Sequence, residues 1–137
     1  MRLDGLAAAG DASVLAYPAT PWASLPTGPV FLDGLRQDAT TRSNLALVNR
    51  GEAGATFRLE VFSGATGAKA GETTETLGPL GFLQIGRVLA TLAPAVADGW
   101  ARVTPLAGAP YVTYAVLNDG ASPGERTGDG AFVAASP

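Results

Sequence analysis

The sequence contains no cysteine and no histidine. Thiol nucleophiles, disulfides and imidazole bases are thereby removed, and with them the usual ligands of zinc and copper. A serine triad built on histidine is out for the same reason. Lysine and arginine together number nine; Lys69 is the one lysine, and the other eight are scattered arginines. No basic stripe exists to neutralise a phosphate backbone, so nucleic acid is not an expected partner. A basic helix that would lie on a membrane surface is also missing. No segment is long and apolar enough to cross a bilayer, so membrane insertion is not expected. Charged residues make up only 15%, against about a quarter in ordinary domains. The lack of cysteine leaves the compartment open, because a reducing cytosol and bacterial secretion both tolerate it. The opening "MRLDGLAAAGDASVLAYPA" has an alanine run, but Asp4 and Asp11 interrupt any apolar core of a signal peptide. Met1 suits an excised piece of a longer protein and a leaderless protein alike.

What is present points to one folded domain. The 137 residues are 47% hydrophobic, and a chain of this length buries roughly two thirds of its unfolded surface without staples. Residues 1–29 form a Pro/Ala-rich arm in which Pro18, Pro21, Pro26 and Pro29 fall close together. Prolines lack a donor and break ladders, so the arm is extended or looped, with "ASVLAY" (Ala12–Tyr17) as one edge strand. Trp22 is expected to anchor the arm on the body, given the area an indole buries. "LDGL" occurs at Leu3–Leu6 and again at Leu32–Leu35, too short a likeness to establish a repeat.

Residues 30–137 carry regular strand signals. "VFLDGL" (Val30–Leu35) is short and ends at a glycine turn. In "RSNLALVN", Ser43, Leu45 and Leu47 alternate with Arg42, Asn44 and Ala46. In "ATFRLEVF", Ala55, Phe57, Leu59 and Val61 share one face, and Thr56, Arg58, Glu60 and Phe62 the other. A period of two with a polar outer side means a half-buried strand. "ETTETL" (Glu72–Leu77) reads as an exposed strand. "LQIGRVLATL" (Leu83–Leu92) is the only helix-like segment; Ile85, Val88, Leu89 and Leu92 share a helical face, and Pro94 ends it. Gly86 weakens it, so a short helical turn near 85–92 is expected. "GWARVTPL" and "PYVTYAVLN", joined around "AGAP", read as the best hairpin. A polar loop (Asp119–Gly130) and a short strand (Ala131–Ala135) close the chain. About seven short strands without βαβ alternation predict an all-β, antiparallel, immunoglobulin-like sandwich.

Two stretches carry a likeness: "FLDGL…TTRSNLALVNRGEAGATFRLEVF" and "YVTYAVLNDGASPGERTGDGAFVAA". Together they make the chain resemble an accessory β-sandwich module found, often in tandem, near the C-termini of secreted bacterial proteins. Arg42, Ser43, Asn44, Leu45, Leu47 and Asn49 match its first motif. Gln84 matches a lone glutamine, and Tyr114, Asp119, Thr127, Gly128, Asp129 and Phe132 match its last motif. Arg50 and Gly130 stand where that module has proline, and Val116 and Asn118 also depart from it. The resemblance covers about Val30 to Ala134. It implies an immunoglobulin-like fold, an extracytoplasmic location and no enzymatic activity, and it supplies no ligand.

Each candidate for chemistry has a plainer reading beside it. In the corner "NRGEAG", Asn49, Gly51 and Gly54 are turn residues, and Arg50 and Glu52 are expected in solvent. Arg42 and Asn44, on the outer face of their strand, suit a structural polar network with Asn49, Asp119 and Asp129, since arginine forks pair well with carboxylates. Asn118, Asp119, Glu125 and Asp129 offer oxygens to calcium, but without the spacing of a known loop no metal site is expected. Paired carboxylates for glycoside hydrolysis would need a cleft that nothing in the spacing implies. Ser43 or Ser63 with Lys69 is a conceivable dyad that nothing brings together. Trp22, Trp100 and Tyr111, with Tyr17 and Tyr114, are candidates for a sugar-stacking surface, although such rings more often pack inside.

The sequence thus predicts a non-catalytic extracellular structural or binding module of a bacterial secreted protein, acting as spacer, adhesion or targeting unit. No cofactor is expected. Two other classes stand beside it: a subunit of an ordered surface or fibre assembly that joins by edge-strand addition, and a carbohydrate-binding module. The partner would be a protein or polysaccharide surface, or a second copy meeting through an edge strand or the N-terminal arm.

Overall fold

The structure is a computed structural model that describes residues 2–3, 17–126 and 130–137. Ala12–Ala16 of the expected edge strand, and Thr127, Gly128 and Asp129, lie outside the described residues. In the arm, β1 (Arg2–Leu3) pairs antiparallel with β2 (Tyr17–Pro18), apart from the sandwich. A 3-10 turn follows at Trp22–Ser24.

Eight strands then build two four-stranded sheets: β3 (Val30–Arg36), β4 (Thr41–Asn49), β5 (Ala55–Ser63), β6 (Lys69–Leu77), β7 (Phe82–Ile85), β8 (Asp98–Ala107), β9 (Tyr111–Asp119) and β10 (Gly130–Ala134). Sheet one has the order β10-β9-β4-β7 and sheet two the order β3-β8-β5-β6, with every neighbouring pair antiparallel. The all-β sandwich expected from the alternation is the fold. Only β5/β6 and β9/β10 are hairpins; at the other links between these strands the chain crosses from one sheet to the other.

The period of two works as read along β4 and β5. Ser43, Leu45, Leu47 and Asn49 point inward from sheet one, and Ala55, Phe57, Leu59 and Val61 meet them from sheet two. Each fully buried Leu or Phe in this layer contributes about 1.5–3 kcal/mol. Phe57 packs on Tyr111 across the two sheets, ring centroids 5.1 Å apart.

Three readings change in detail. First, β3 does not stop at a glycine turn. It runs through Gly34 (φ 71) to Arg36, and its register on β8 slips by one residue between Leu32 and Leu35. Leucines three apart in a regular strand would face opposite sides. The extra residue of a bulge, with glycine in the left-handed region, turns both into the core. Second, β8 and β9 are not a hairpin. They lie in different sheets because each has an inward face, Ala101 and Val103 on one and Tyr111, Thr113 and Ala115 on the other, and the two faces cover one another across the core. Third, the helical turn is α1 (Val88–Leu92); Ile85 instead pairs with Leu45 at the end of β7. Val88 and Leu89 of α1 are fully buried.

The arm joins the body through Tyr111. Its backbone N–H donates to Pro26 (3.3 Å) and its hydroxyl to the Gly28 carbonyl (2.7 Å), with the Val103 carbonyl 3.3 Å away. At the other terminus, Ser136 exchanges two backbone hydrogen bonds with Phe31 and so meets the edge of β3 at that residue. Among the described residues, no helix is long and apolar enough to cross a membrane.

Candidate functional site

The sandwich exposes two outer faces, and both carry aromatic and charged side chains. On sheet two, Phe62 and Trp100 are direct cross-strand neighbours and stack with centroids 4.0 Å apart at 4°. Phe31 leans on Trp100 at 6.0 Å, and the Arg102 guanidinium lies 5.5 Å from the Phe62 centroid. Rings stacked this way stand on the sheet and use their faces on one another, whereas a sugar platform needs faces open to solvent. Trp100 is therefore part of a packed ladder.

Beside the ladder, Glu60 is buried on this outward face. Its carboxylate accepts from Arg102 (2.7 and 2.8 Å), with Arg58 at 3.6 Å and Lys69 at 3.8 Å. Lys69 also donates to Glu72 at 2.7 Å, which holds that carboxyl below its usual value. Reading the strands singly missed this cluster. The available signal was Arg58 two residues before Glu60 on the same face.

The polar groups expected to form one network on sheet one divide into separate clusters. Asn49 belongs to the corner: fully buried, it donates to Ala53 (2.7 Å) and Gly78 (2.8 Å) and accepts from the Gly51 N–H (2.9 Å). Arg42 and Asn44 lie toward the other end of β4. Arg42 Nη1 reaches the loop after β9, but through the carbonyls of Gly120 (2.7 Å), Ser122 (3.1 Å) and Asp119 (3.4 Å) rather than through a carboxylate. The Asp119 carboxylate pairs with Arg126 at 2.7 Å. Asn44 donates to Asn118 Oδ1 (2.9 Å) and accepts from the Arg87 N–H (2.9 Å) just before α1. Asp129 lies outside the described residues.

In the loop considered for calcium, Glu125 accepts from the Ser122 N–H at 3.0 Å and Asp119 is held by Arg126. Among the described residues, no group of three acids is placed to hold a metal ion. Ser43 exchanges two hydrogen bonds with the Arg36 backbone inside the core, so it makes no dyad with Lys69. Tyr111 is not a surface residue: it is 0% exposed, and burial raises the pKa of its phenol. Its ring fills the space between the sheets that Phe57 leaves.

Trp22 differs from all of these. It does not anchor the arm by burial; its indole is 62% exposed, with the Arg50 guanidinium 5.7 Å from the ring centroid. A 3-10 turn between prolines holds it above sheet one instead of pressing it into the core. Beneath it opens a cleft of about 490 Å3, walled by Pro18, Trp22, Leu25 and Pro26 of the arm and floored by Val48, Val112, Tyr114 and Phe132. Tyr114 and Phe132 stack in that floor at 5.4 Å. A second, polar cavity of about 220 Å3 lies further along the same sheet, lined by Arg42, Asn44, Gln84, Asn118 and again Tyr114. The corner residue Arg50 thus reaches the first cleft, while its neighbour Asn49 only shapes the turn.

No protein-family model, no curated protein and no solved structure matches the chain.

Proposed function

We propose that this chain is a non-catalytic binding module of a secreted or surface-exposed bacterial protein. In this reading it serves adhesion or targeting by holding a polysaccharide surface on the outer face of sheet one. The observation that carries the reading is the exposed Trp22 indole over an apolar, aromatic-floored cleft. Concave apolar sites with a few polar groups are where ligands bind, and a large exposed ring at the rim of one favours a partner that stacks. The extracytoplasmic setting rests on the likeness of Arg42–Asn49 and Tyr114–Phe132 to the accessory module. A passive role agrees with a chain that has no imidazole or thiol to activate.

Assembly by edge-strand addition is the weaker reading. The edge of β3 is met by Ser136 at Phe31, and the long edge strand β6 carries Lys69, Glu72 and Glu75, charges of the kind that keep edges apart.

The test is a glycan array probed with the 137-residue chain and with Trp22→Ala. Binding by the parent, lost in a variant with an unchanged melting curve, is the expected result. Equal binding by both, or a blank array with folded protein, refutes the reading.

A further inference from the structure

The polar cavity beside the aromatic cleft contains the one arginine that, among the described residues, the fold buries without a counter-charge. Arg42 is 8% exposed, lines the cavity, and among the described residues forms no ion pair. Its Nη1 faces three carbonyls, while its Nε is buried with no acceptor. A guanidinium has five N–H donors, and its fork matches the two oxygens of a carboxylate. The rest of the lining is amide rather than cation. Gln84 is exposed on β7, and Asn44 and Asn118 hold each other at 2.9 Å. Amides both donate and accept, which suits hydroxyl groups that do the same. A sulfate or phosphate presents only acceptors and would call for more donors than this lining offers.

One cation, several amides and an aromatic wall therefore describe a ligand with one carboxylate, several hydroxyls and an apolar ring edge. On this basis we infer that the cavity is a subsite for a hexuronate residue of an acidic polysaccharide, with Arg42 meeting the carboxylate and Gln84 a ring hydroxyl. The inference rests on the glycan-binding reading above and gives it a substrate class. At about 220 Å3 the cavity has room for about seven waters of roughly 30 Å3 each, the scale of one sugar ring. Tyr114 is shared with the larger cleft, so the neighbouring sugar of the same polymer would run toward Trp22. The net charge of −3 opposes an anionic partner at long range.

The experiment is calorimetric titration of the whole chain with three probes: an oligogalacturonate, its methyl ester, and polyglutamate. Arg42→Gln and Gln84→Ala are titrated alongside. The expected result is that the acid binds at least tenfold tighter than the ester, that this preference weakens with added salt, and that Arg42→Gln removes it while binding to the ester persists. Arg42 also holds the 119–122 loop, so Gln84→Ala, an exposed change, provides the second variant; it weakens the acid several-fold with an unchanged melting curve. Equal affinity for acid and ester overturns the uronate subsite but leaves glycan binding standing. Binding of polyglutamate as tight as that of the oligogalacturonate also overturns it, in favour of an acidic peptide. No binding of either sugar by the folded chain overturns the uronate subsite, and the glycan array then decides the broader reading.

Discussion

Among the described glycines, Gly71 leaves the least room for a side chain, and its contact with α1 can be tested with one methyl group. Gly71 lies on β6 opposite Val61, where the chain end of α1 passes over it. A Cβ built there would overlap the Leu92 carbonyl oxygen and sit 2.7 Å from the Leu92 carbonyl carbon. Both are backbone atoms, so no side chain can swing away, and Gly71→Ala must push α1 off the sheet. Overpacking of this kind costs about 1–3 kcal/mol. The displaced helix carries Val88 and Leu89, both 0% exposed; full burial of each is worth about 1.5–3 kcal/mol, and part of that is lost when the helix lifts. The expected destabilisation is about 2–4 kcal/mol, which for a domain of this size lowers the melting temperature on the order of 10 °C. The control is Gly78→Ala, where a Cβ would meet no heavy atom within 4 Å; it should stay within about 0.5 kcal/mol of the parent. Urea and thermal unfolding followed by circular dichroism measure both. If Gly71→Ala melts with Gly78→Ala, the packing of α1 on β6 is not as described.

Asn49→Ala removes a fully buried side chain and its three hydrogen bonds to the corner; the Ala53 carbonyl and the Gly51 N–H lose this partner, while the Gly78 carbonyl keeps the Gly81 N–H. At about 0.5–1.5 kcal/mol net per hydrogen bond, a loss of roughly 2–4 kcal/mol is expected in urea unfolding; a loss below about 1 kcal/mol would mean that water replaces the side chain. Tyr111→Phe keeps the ring but removes the bond to Gly28, for about 1–2 kcal/mol at neutral pH. In the parent, burial raises the Tyr111 pKa above its ordinary 10.0, so the fold favours the neutral phenol. That contribution is fully present below pH 10 and is lost as pH rises beyond it, by up to ~1.4 kcal/mol per pH unit. Urea midpoints from neutral to alkaline pH should therefore fall less steeply in Tyr111→Phe than in the parent, and parallel slopes would refute the assignment.

The parts of the fold legible in the sequence depend on one strand at a time. Alternation along Arg42–Asn49 and Ala55–Phe62 told inside from outside correctly, because a side chain's face follows from backbone pleat alone. What depends on the neighbouring strand was hidden. Glu60 reads as a solvated outer residue until β8 places Arg102 beside it and Lys69 approaches from β6. Arg42 reads as a partner for carboxylates until the chain after β9 turns its carbonyls toward it. Leu32 and Leu35 contradict the alternation until Gly34 is seen to insert a bulge. The tryptophans could not be told apart by composition: Trp100 finds Phe62 directly across the ladder, and Trp22 sits in a proline-bounded turn.

The same dependence on neighbours explains why one outer face is the better site. On sheet two, Trp100 faces Phe62 of the adjacent strand and Glu60 sits among three cations; the Arg58 Nε, 3.6 Å from Glu60, is, among the described residues, the group there without a hydrogen-bond acceptor. Regular antiparallel pairing makes these pairings possible, because directly opposed residues lie close enough to interact. On sheet one, the residues that matter are covered by irregular chain instead. The arm passes over Val48, Val112 and Tyr114 without filling the space beneath it, and the described residues of the loop after β9 offer Arg42 carbonyls but no carboxylate. An irregular segment must spend its own polar groups on its own turns, as Glu125 does with Ser122 and Asp119 with Arg126. Arg42 and Trp22 therefore keep unmet capacity where a ladder strand would have matched them, and the two cavities form beside them.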